Sequence, residues 1–237
     1  EAREAWRRLA PQRVLAAPLF GRAGFDDFDK PLPGLDSLRA LYRNGTLKVM
    51  GEITAQYEGL SPSDSTLDPY FALAEELGIP VGIHTGTGPE RMPYRGKPNF
   101  RIAMGNPLLL EDLLVRRPKL RVYMMHGGLP WKREALDLMR MYPQLYMDIA
   151  VIDWIGGPKS IPRLHAFLRE AFAAGLGKRI MFGTDQMRWP DAIPMAIQAV
   201  EAAEFLTHEQ KRDIFYNNAA RFLGLSDADV ARYHAFG

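Results

Sequence analysis

Five polar residues stand where apolar stretches of this chain stop: Glu52 in MGEI, His84 in GIHTG, His126 in MMHGG, Asp148 in YMDIA and Asp185 in FGTDQ. Two imidazoles and three carboxylates make a donor set that suits a divalent metal. Zn2+ is favoured, and the same ligands accept Mn2+ or Fe2+. No two of the five are close in sequence, so the chemistry exists only if the fold gathers them. Each also has an ordinary reading. A lone histidine at a strand end is commonly a hydrogen-bonded core or rim residue, and Asp185 could cap the turn that follows it. Glu52 is the hardest to explain away, because a carboxylate inside an apolar strand is costly unless paired or metal-bound. Asp148 is placed behind the ligands, where an arginine could pair with it. Gly127 and Gly128 after His126 would let backbone approach a ligand closely. His165, His208 and His234 fall on helices or in the tail and keep the ordinary reading.

Six apolar runs carry the sequence between these points: RVLAAPLF (13–20), LKVMGEI (47–53), PVGIHT (80–85), LRVYMMH (120–126), LYMDIAV (145–151) and RIMFGTD (179–185). They are continuous rather than alternating, which means burial on both faces and hence a parallel sheet. Helix signals separate them. Asp68-Pro69 starts a helix that Gly78 and Pro80 stop, Asn106-Pro107 precedes LLLEDLLVRR, and Thr207 to Gln210 fits a capping box. Strand–helix alternation of this kind gives a doubly wound sheet or a (β/α)8 barrel. No glycine-rich dinucleotide loop follows the first run and no GxxxxGK(S/T) occurs, which weighs against nucleotide-binding versions. In a barrel, catalytic groups collect at the C-terminal ends of strands, where these five residues stand.

The longest connection, 86–105, is rich in Pro and Gly and reads as a functional lid. It carries Arg91, Arg95, Lys97 and Arg101, and Arg101 is the candidate for holding an anionic substrate group, against a simply solvated loop. Trp131, Trp154 and Trp189 each follow a run by a few residues. Trp131 and Trp189 are candidates for an apolar wall around a substrate, against plain packing between barrel and helices.

The chain has 237 residues, 47% of them apolar and 24% charged, with a net charge of +2. This is the composition of a single globular domain. It lacks the clustered basic stripe of a nucleic-acid binder and any apolar run near the ~18 residues that would span a membrane. The absence of cysteine excludes disulfides and thiolate chemistry and leaves the compartment open. The opening EAREAWRRLAPQ reads as an amphipathic, Arg-rich helix rather than a signal peptide.

Taken together, IHTG, MHGG, FGTD and YNNAARFLGL (216–225) resemble the amidohydrolase-related family of metal-dependent TIM-barrel hydrolases over roughly residues 13–225. MGEI is also similar to the metal-binding strand of the TatD-type nucleases. The resemblance implies a (β/α)8 TIM barrel as one domain over 1–237. It implies metal ligation by Glu52, His84, His126 and Asp185, catalytic roles for His126 and Asp185, one or two ions, and a small-molecule substrate. The family's first strand ends in a His-x-His pair that this sequence does not contain. Matching RVLAAPLF to the third strand puts two βα units upstream of Glu1, on the order of 50–80 residues. An open barrel edge would then invite pairing with a second copy. Three functions are compatible: metal-assisted hydrolysis of an amide, ester or lactone, non-oxidative decarboxylation of an aromatic or unsaturated acid, and a catalytically impaired barrel that only binds. Hydrolysis is the favoured one.

Overall fold

Five of the six apolar runs form one parallel sheet in the computed structural model, which describes residues 8–9, 14–18, 34–186 and 188–235. The strands are β1 (Met50–Ile53), β2 (Val81–Ile83), β3 (Val122–Met124), β4 (Leu145–Asp148) and β5 (Ile180–Met181), paired in sequence order. Val81, Ile83, Val122, Met124, Leu145 and Met147 are all fully buried, as expected for a sheet covered on both faces. The first run differs. Residues 14–18 are not a strand, although the Ala16 carbonyl accepts the amides of Lys48 (2.8 Å) and Val49 (3.4 Å). One carbonyl shared by two donors is not a ladder, and Pro18 has no N–H to extend it. Positions 13, 19 and 20 lie outside the described residues.

Among the described residues the barrel does not close, and β1 and β5 end the sheet. The outer edge of β5 is nevertheless covered. Met181 faces β4 through Ile149, so Ile180 and Phe182 face away from it. The Asn218 side chain donates to the Ile180 carbonyl (2.6 Å), and the Phe182 amide donates to the Ile214 carbonyl (2.8 Å). A helical segment thus occupies groups that would otherwise template a foreign strand.

The helices are α1 (Leu35–Arg43), α2 (Asp68–Leu77), α3 (Glu111–Arg116), α4 (Lys132–Met141), α5 (Ser160–Ala173), α6 (Ala192–Glu201), α7 (His208–Arg212), α8 (Asn218–Leu223) and α9 (Asp227–His234). In α5 the buried residues Leu164, Phe167, Leu168 and Ala171 fall at i, i+3, i+4 and i+7, the stripe that packs a helix on a sheet. Gly78 ends α2 in the left-handed region, and the Thr207–Gln210 capping box starts α7, both as the sequence reads. Asp68 is the first helical residue of α2 rather than its cap, and its carboxylate pairs with Arg117 at 2.6 Å instead. No helix of the described residues is long and apolar enough to cross a membrane.

One irregularity positions the site. Met50 pairs with Val81 and Ile53 with Ile83, so β1 takes three steps where β2 takes two. The extra residue is a bulge at Gly51–Glu52, a device that re-aims a side chain next to a functional site. Gly51 has φ 145°, and a Cβ there would lie 2.7 Å from the Gly82 carbonyl oxygen, so only glycine permits this approach of the two strands.

Candidate metal centre

The C-terminal ends of the strands lie level: Ile83 opposes Met124, Met124 opposes Met147, and Asp148 opposes Met181. His84 is the first residue past β2 and His126 the second past β3, so both emerge just above this line. With Glu52 in the β1 bulge they converge: one donor atom from each of Glu52, His84 and His126 lies within 4.8 Å of the other two. His84 and His126 are buried, and the Nδ1 atom of each has no hydrogen-bond partner. Buried polar atoms are nearly always paired, so two unspent imidazole nitrogens in this cluster fit a missing partner, while the other His126 nitrogen, Nε2, lies 3.6 Å from Glu52. The donors, two nitrogens and one oxygen, suit Zn2+ or Mn2+.

The backbone around His126 is shaped for this purpose. His126, Gly127 and Gly128 have φ of 65°, 60° and 66°, three left-handed residues in succession. For a histidine that conformation costs about 1–2 kcal/mol. The turn is held by Asp148, whose Oδ1 accepts the backbone amides of His126 (2.9 Å) and Ala150 (3.0 Å). Asp148 therefore does stand behind the ligands, but its partners are main-chain amides rather than an arginine. At Gly128 a Cβ would meet Pro107 at 2.7 Å, so a larger residue would lift the turn away from the connection that precedes α3.

The charges divide sharply. Burial, together with the positive charge of His126, pushes His84 down to about 3, so it is a neutral imidazole with a lone pair to give. Burial also acts to lower His126, but the Glu52 carboxylate 3.6 Å from its Nε2 and the charges of Asp148 and Asp185 outweigh it and lift His126 to about 9. Burial pulls Glu52 upward, yet the His126 imidazolium, its Nε2 3.6 Å from the carboxylate, holds it below its usual range. Three carboxylates therefore surround one imidazole, which makes the spot an attractive seat for a cation.

The fourth expected ligand stands apart. Asp185 is an exposed residue outside the three-residue cluster, four residues beyond β5, with φ 51°. It remains within electrostatic reach of His126, Glu52 and Asp148, and partial burial pushes its carboxyl up to about 6. Arg101 is exposed and donates to the carbonyls of Pro98 (3.0 Å) and Phe100 (2.9 Å), bracing its own loop. Trp131 is half-buried immediately before α4. Trp189 is 63% exposed and leans on Trp154, with ring centroids 6.3 Å apart, while the Trp154 indole donates to the Thr184 carbonyl (2.7 Å). All of these lie on connections that follow strands, at the same end of the sheet as the cluster. A groove of about 680 Å³ opens at the other end, between α2 and the turn before β3, where Glu75 and Arg117 already pair.

The 86–105 connection is anchored rather than loose. Gln56 donates through Nε2 to the carbonyls of Gly86 (2.9 Å) and Ile102 (3.2 Å), and the buried Lys97 pairs with Glu58 at 2.5 Å. Two residues near the cluster carried no sequence signal. Tyr57 sets its ring edge-on to His84, and Asp153 buries both carboxylate oxygens without a partner. A long-range reading of Glu52 could have found Tyr57, five residues further along the same strand exit.

A parallel α/β sheet with clustered imidazoles and a carboxylate above its C-terminal edge is the architecture of metal-dependent α/β barrels. The family model described as amidohydrolase matches residues 18–225, and the chain belongs to that family. Among solved structures it is similar to an uncharacterised TIM-barrel protein of Bordetella bronchiseptica (20% identity, TM-score 0.64, 94% of this chain and 71% of that one). It is also similar to a probable 2-pyrone-4,6-dicarboxylic acid hydrolase of Acinetobacter baumannii solved with citric acid (16% identity, TM-score 0.63, 94% and 78%). A third is a dihydroxybenzoic acid decarboxylase of Polaromonas sp. JS666 with bound manganese and 2-nitroresorcinol (15% identity, TM-score 0.56, 83% and 67%). Protein fluG of Emericella nidulans is 25% identical over 117 residues, which is 49% of this chain and 12% of that protein. The fold is thus shared with one protein described as a probable hydrolase and one described as a decarboxylase.

Proposed function

We propose that the protein is a metal-dependent hydrolase that cleaves an amide, ester, lactone or related bond of a small molecule. The observation that carries this reading is the convergence of Glu52, His84 and His126 above the sheet of an amidohydrolase-family chain. Those three residues hold a divalent ion, with Zn2+ favoured. When bound, the ion supplies Lewis acidity for the scissile carbonyl and lowers the pKa of a water from about 15.7 to about 7.

The remaining steps belong to side chains. Asp185, at about 6, is ionised at neutral pH yet near enough to that boundary to take a proton from the attacking water and return it to the leaving group. His84 stays neutral, and His126 is oriented through its backbone by Asp148. Arg101, Trp131 and Trp189 lie along the substrate's approach, the arginine nearest any anionic group.

A second reading is decarboxylation of an aromatic acid. Its support is the aromatic pair Tyr57 and Phe100 beside His84, together with the manganese-containing decarboxylase of the same fold.

Protein purified without chelators and assayed for metals separates the readings. About one equivalent of a divalent ion is expected, with hydrolysis of members of an ester, lactone and amide panel. Release of carbon dioxide from a carboxylate panel without any hydrolysis would reverse the order. Less than about a tenth of an equivalent would leave a metal-free binding protein.

A further inference from the structure

We propose that Tyr57 donates a hydrogen bond from its hydroxyl to a substrate oxygen seated at the Glu52–His84–His126 cluster. The inference rests on the metal-site reading above and adds a substrate contact to it. Tyr57 lies in the short turn Ala55–Glu58 that leaves β1 directly after the Glu52 bulge. Its ring stands perpendicular to His84 at 5.1 Å and perpendicular to Phe100 at 5.2 Å, so the phenol is wedged between a candidate ligand and the 86–105 connection.

Both sequence neighbours are tied to that connection. Gln56 reaches Gly86 and Ile102 with its side chain, and its carbonyl accepts the Arg101 amide at 3.3 Å. Glu58 holds Lys97. The position of Tyr57 is therefore set from three sides. Its ring contacts need only a phenyl group. The hydroxyl makes no hydrogen bond among the described residues, although the side chain is half-buried. The hydroxyl is not among the buried unpaired atoms, so the ring is held by packing while the hydroxyl itself stays open to an incoming acceptor.

The acceptor must enter from the cleft. A phenol is an ordinary donor at neutral pH, and the edge-on packing of its ring on His84 puts it beside the cluster. A substrate oxygen there, from an ester, lactone or carboxylate, meets the hydroxyl while the apolar part of the molecule lies against Phe100.

The test uses zinc-loaded wild type and Tyr57→Phe, with zinc content measured for both and two probes titrated by calorimetry. Acetohydroxamate brings oxygen acceptors to the metal, and imidazole binds through nitrogen and presents none. Tyr57→Phe is expected to keep its zinc and its imidazole affinity and to bind acetohydroxamate about tenfold more weakly. Equal acetohydroxamate affinity in the two proteins overturns the proposal. Parallel weakening of both probes also overturns it, since Tyr57 would then only support the metal site. A wild type that takes up no zinc removes the metal-site reading and this inference with it. Zinc uptake with unaltered acetohydroxamate binding removes this inference alone.

Discussion

The two ends of the sheet treat polar groups differently. At the N-terminal end most are paired, although Nε of Arg117 is buried there without a partner. Arg121, just before β3, donates to the carbonyls of Phe222 and Gly78, and Arg179, just before β5, donates to those of Tyr142 (3.0 Å) and Leu145 (3.1 Å). Asn218 bridges the carbonyls of Gly177 (2.8 Å) and Ile180 (2.6 Å), and Asp213 accepts Lys178 and Asn217. At the C-terminal end, Nδ1 of His84, Nδ1 of His126 and both oxygens of Asp153 are buried with no partner. The backbone there is also unusual, with positive φ at His126, Val151 and Asp185. Satisfied polar groups at one end secure the fold. Unsatisfied groups and strained backbone at the other mark where a ligand completes the structure.

Removing a group from each end measures this difference. The largest effect is expected from His84→Ala. Zinc sites in small peptides bind with about 10–16 kcal/mol, so one of some four donors is worth roughly 3–4 kcal/mol, and zinc affinity should fall at least about a hundredfold. The melting temperature of the metal-free variant should stay level or rise, because the lost group had an unpaired nitrogen. If zinc affinity held and metal-free stability fell, the imidazole would be a core residue after all.

Asn218→Ala should do the reverse. It strands two buried carbonyls, at a cost of about 2–3 kcal/mol in urea unfolding, and leaves zinc affinity within about twofold of wild type. A comparable loss of zinc binding in this variant would couple the two ends and dissolve the contrast.

The paired end and the sheet were legible in the sequence because they follow from local rules. Continuous apolar runs announced β2 to β5, and the Gly78 stop and the Thr207 capping box each depend on a few adjacent residues. Glu52, His84 and His126 stood out because each interrupts or ends an apolar run. What stayed hidden depends on partners distant in sequence. The bulge at Gly51–Glu52 is a mismatch between β1 and β2, invisible in either strand alone. Lys97 looked like a solvated or anion-seeking loop charge, but Glu58, 39 residues earlier, draws it into the interior, so the expected lid is a fastened flap. Arg101 spends donors on carbonyls of its own loop. Asp148 found amides where an arginine seemed natural, because the left-handed turn at His126 brings its N–H to the end of β4.

The sharpest test, and the one with the smallest step per measurement, concerns Asp153. It follows β4 in the sequence IDWIGG, has no solvent exposure, and pairs neither oxygen with another residue. Burial pushes its carboxyl from 3.8 up to about 8; Asp148 adds to the rise, while its own backbone amide and His126 oppose it. The sign of the pH effect follows. A carboxyl that binds its proton more tightly in the folded state favours folding fully below about 3.8, and that contribution is lost as pH climbs toward about 8. Asp153→Asn keeps the shape and is neutral throughout. Relative to this variant, the wild type should lose stability by up to about 1.4 kcal/mol per pH unit between pH 5 and 6, and the two should converge near pH 4. Urea unfolding of both proteins across that range gives the slope directly. Parallel curves would mean that the carboxyl is paired in solution, and the unsatisfied end of the sheet would then shrink to the two imidazoles alone.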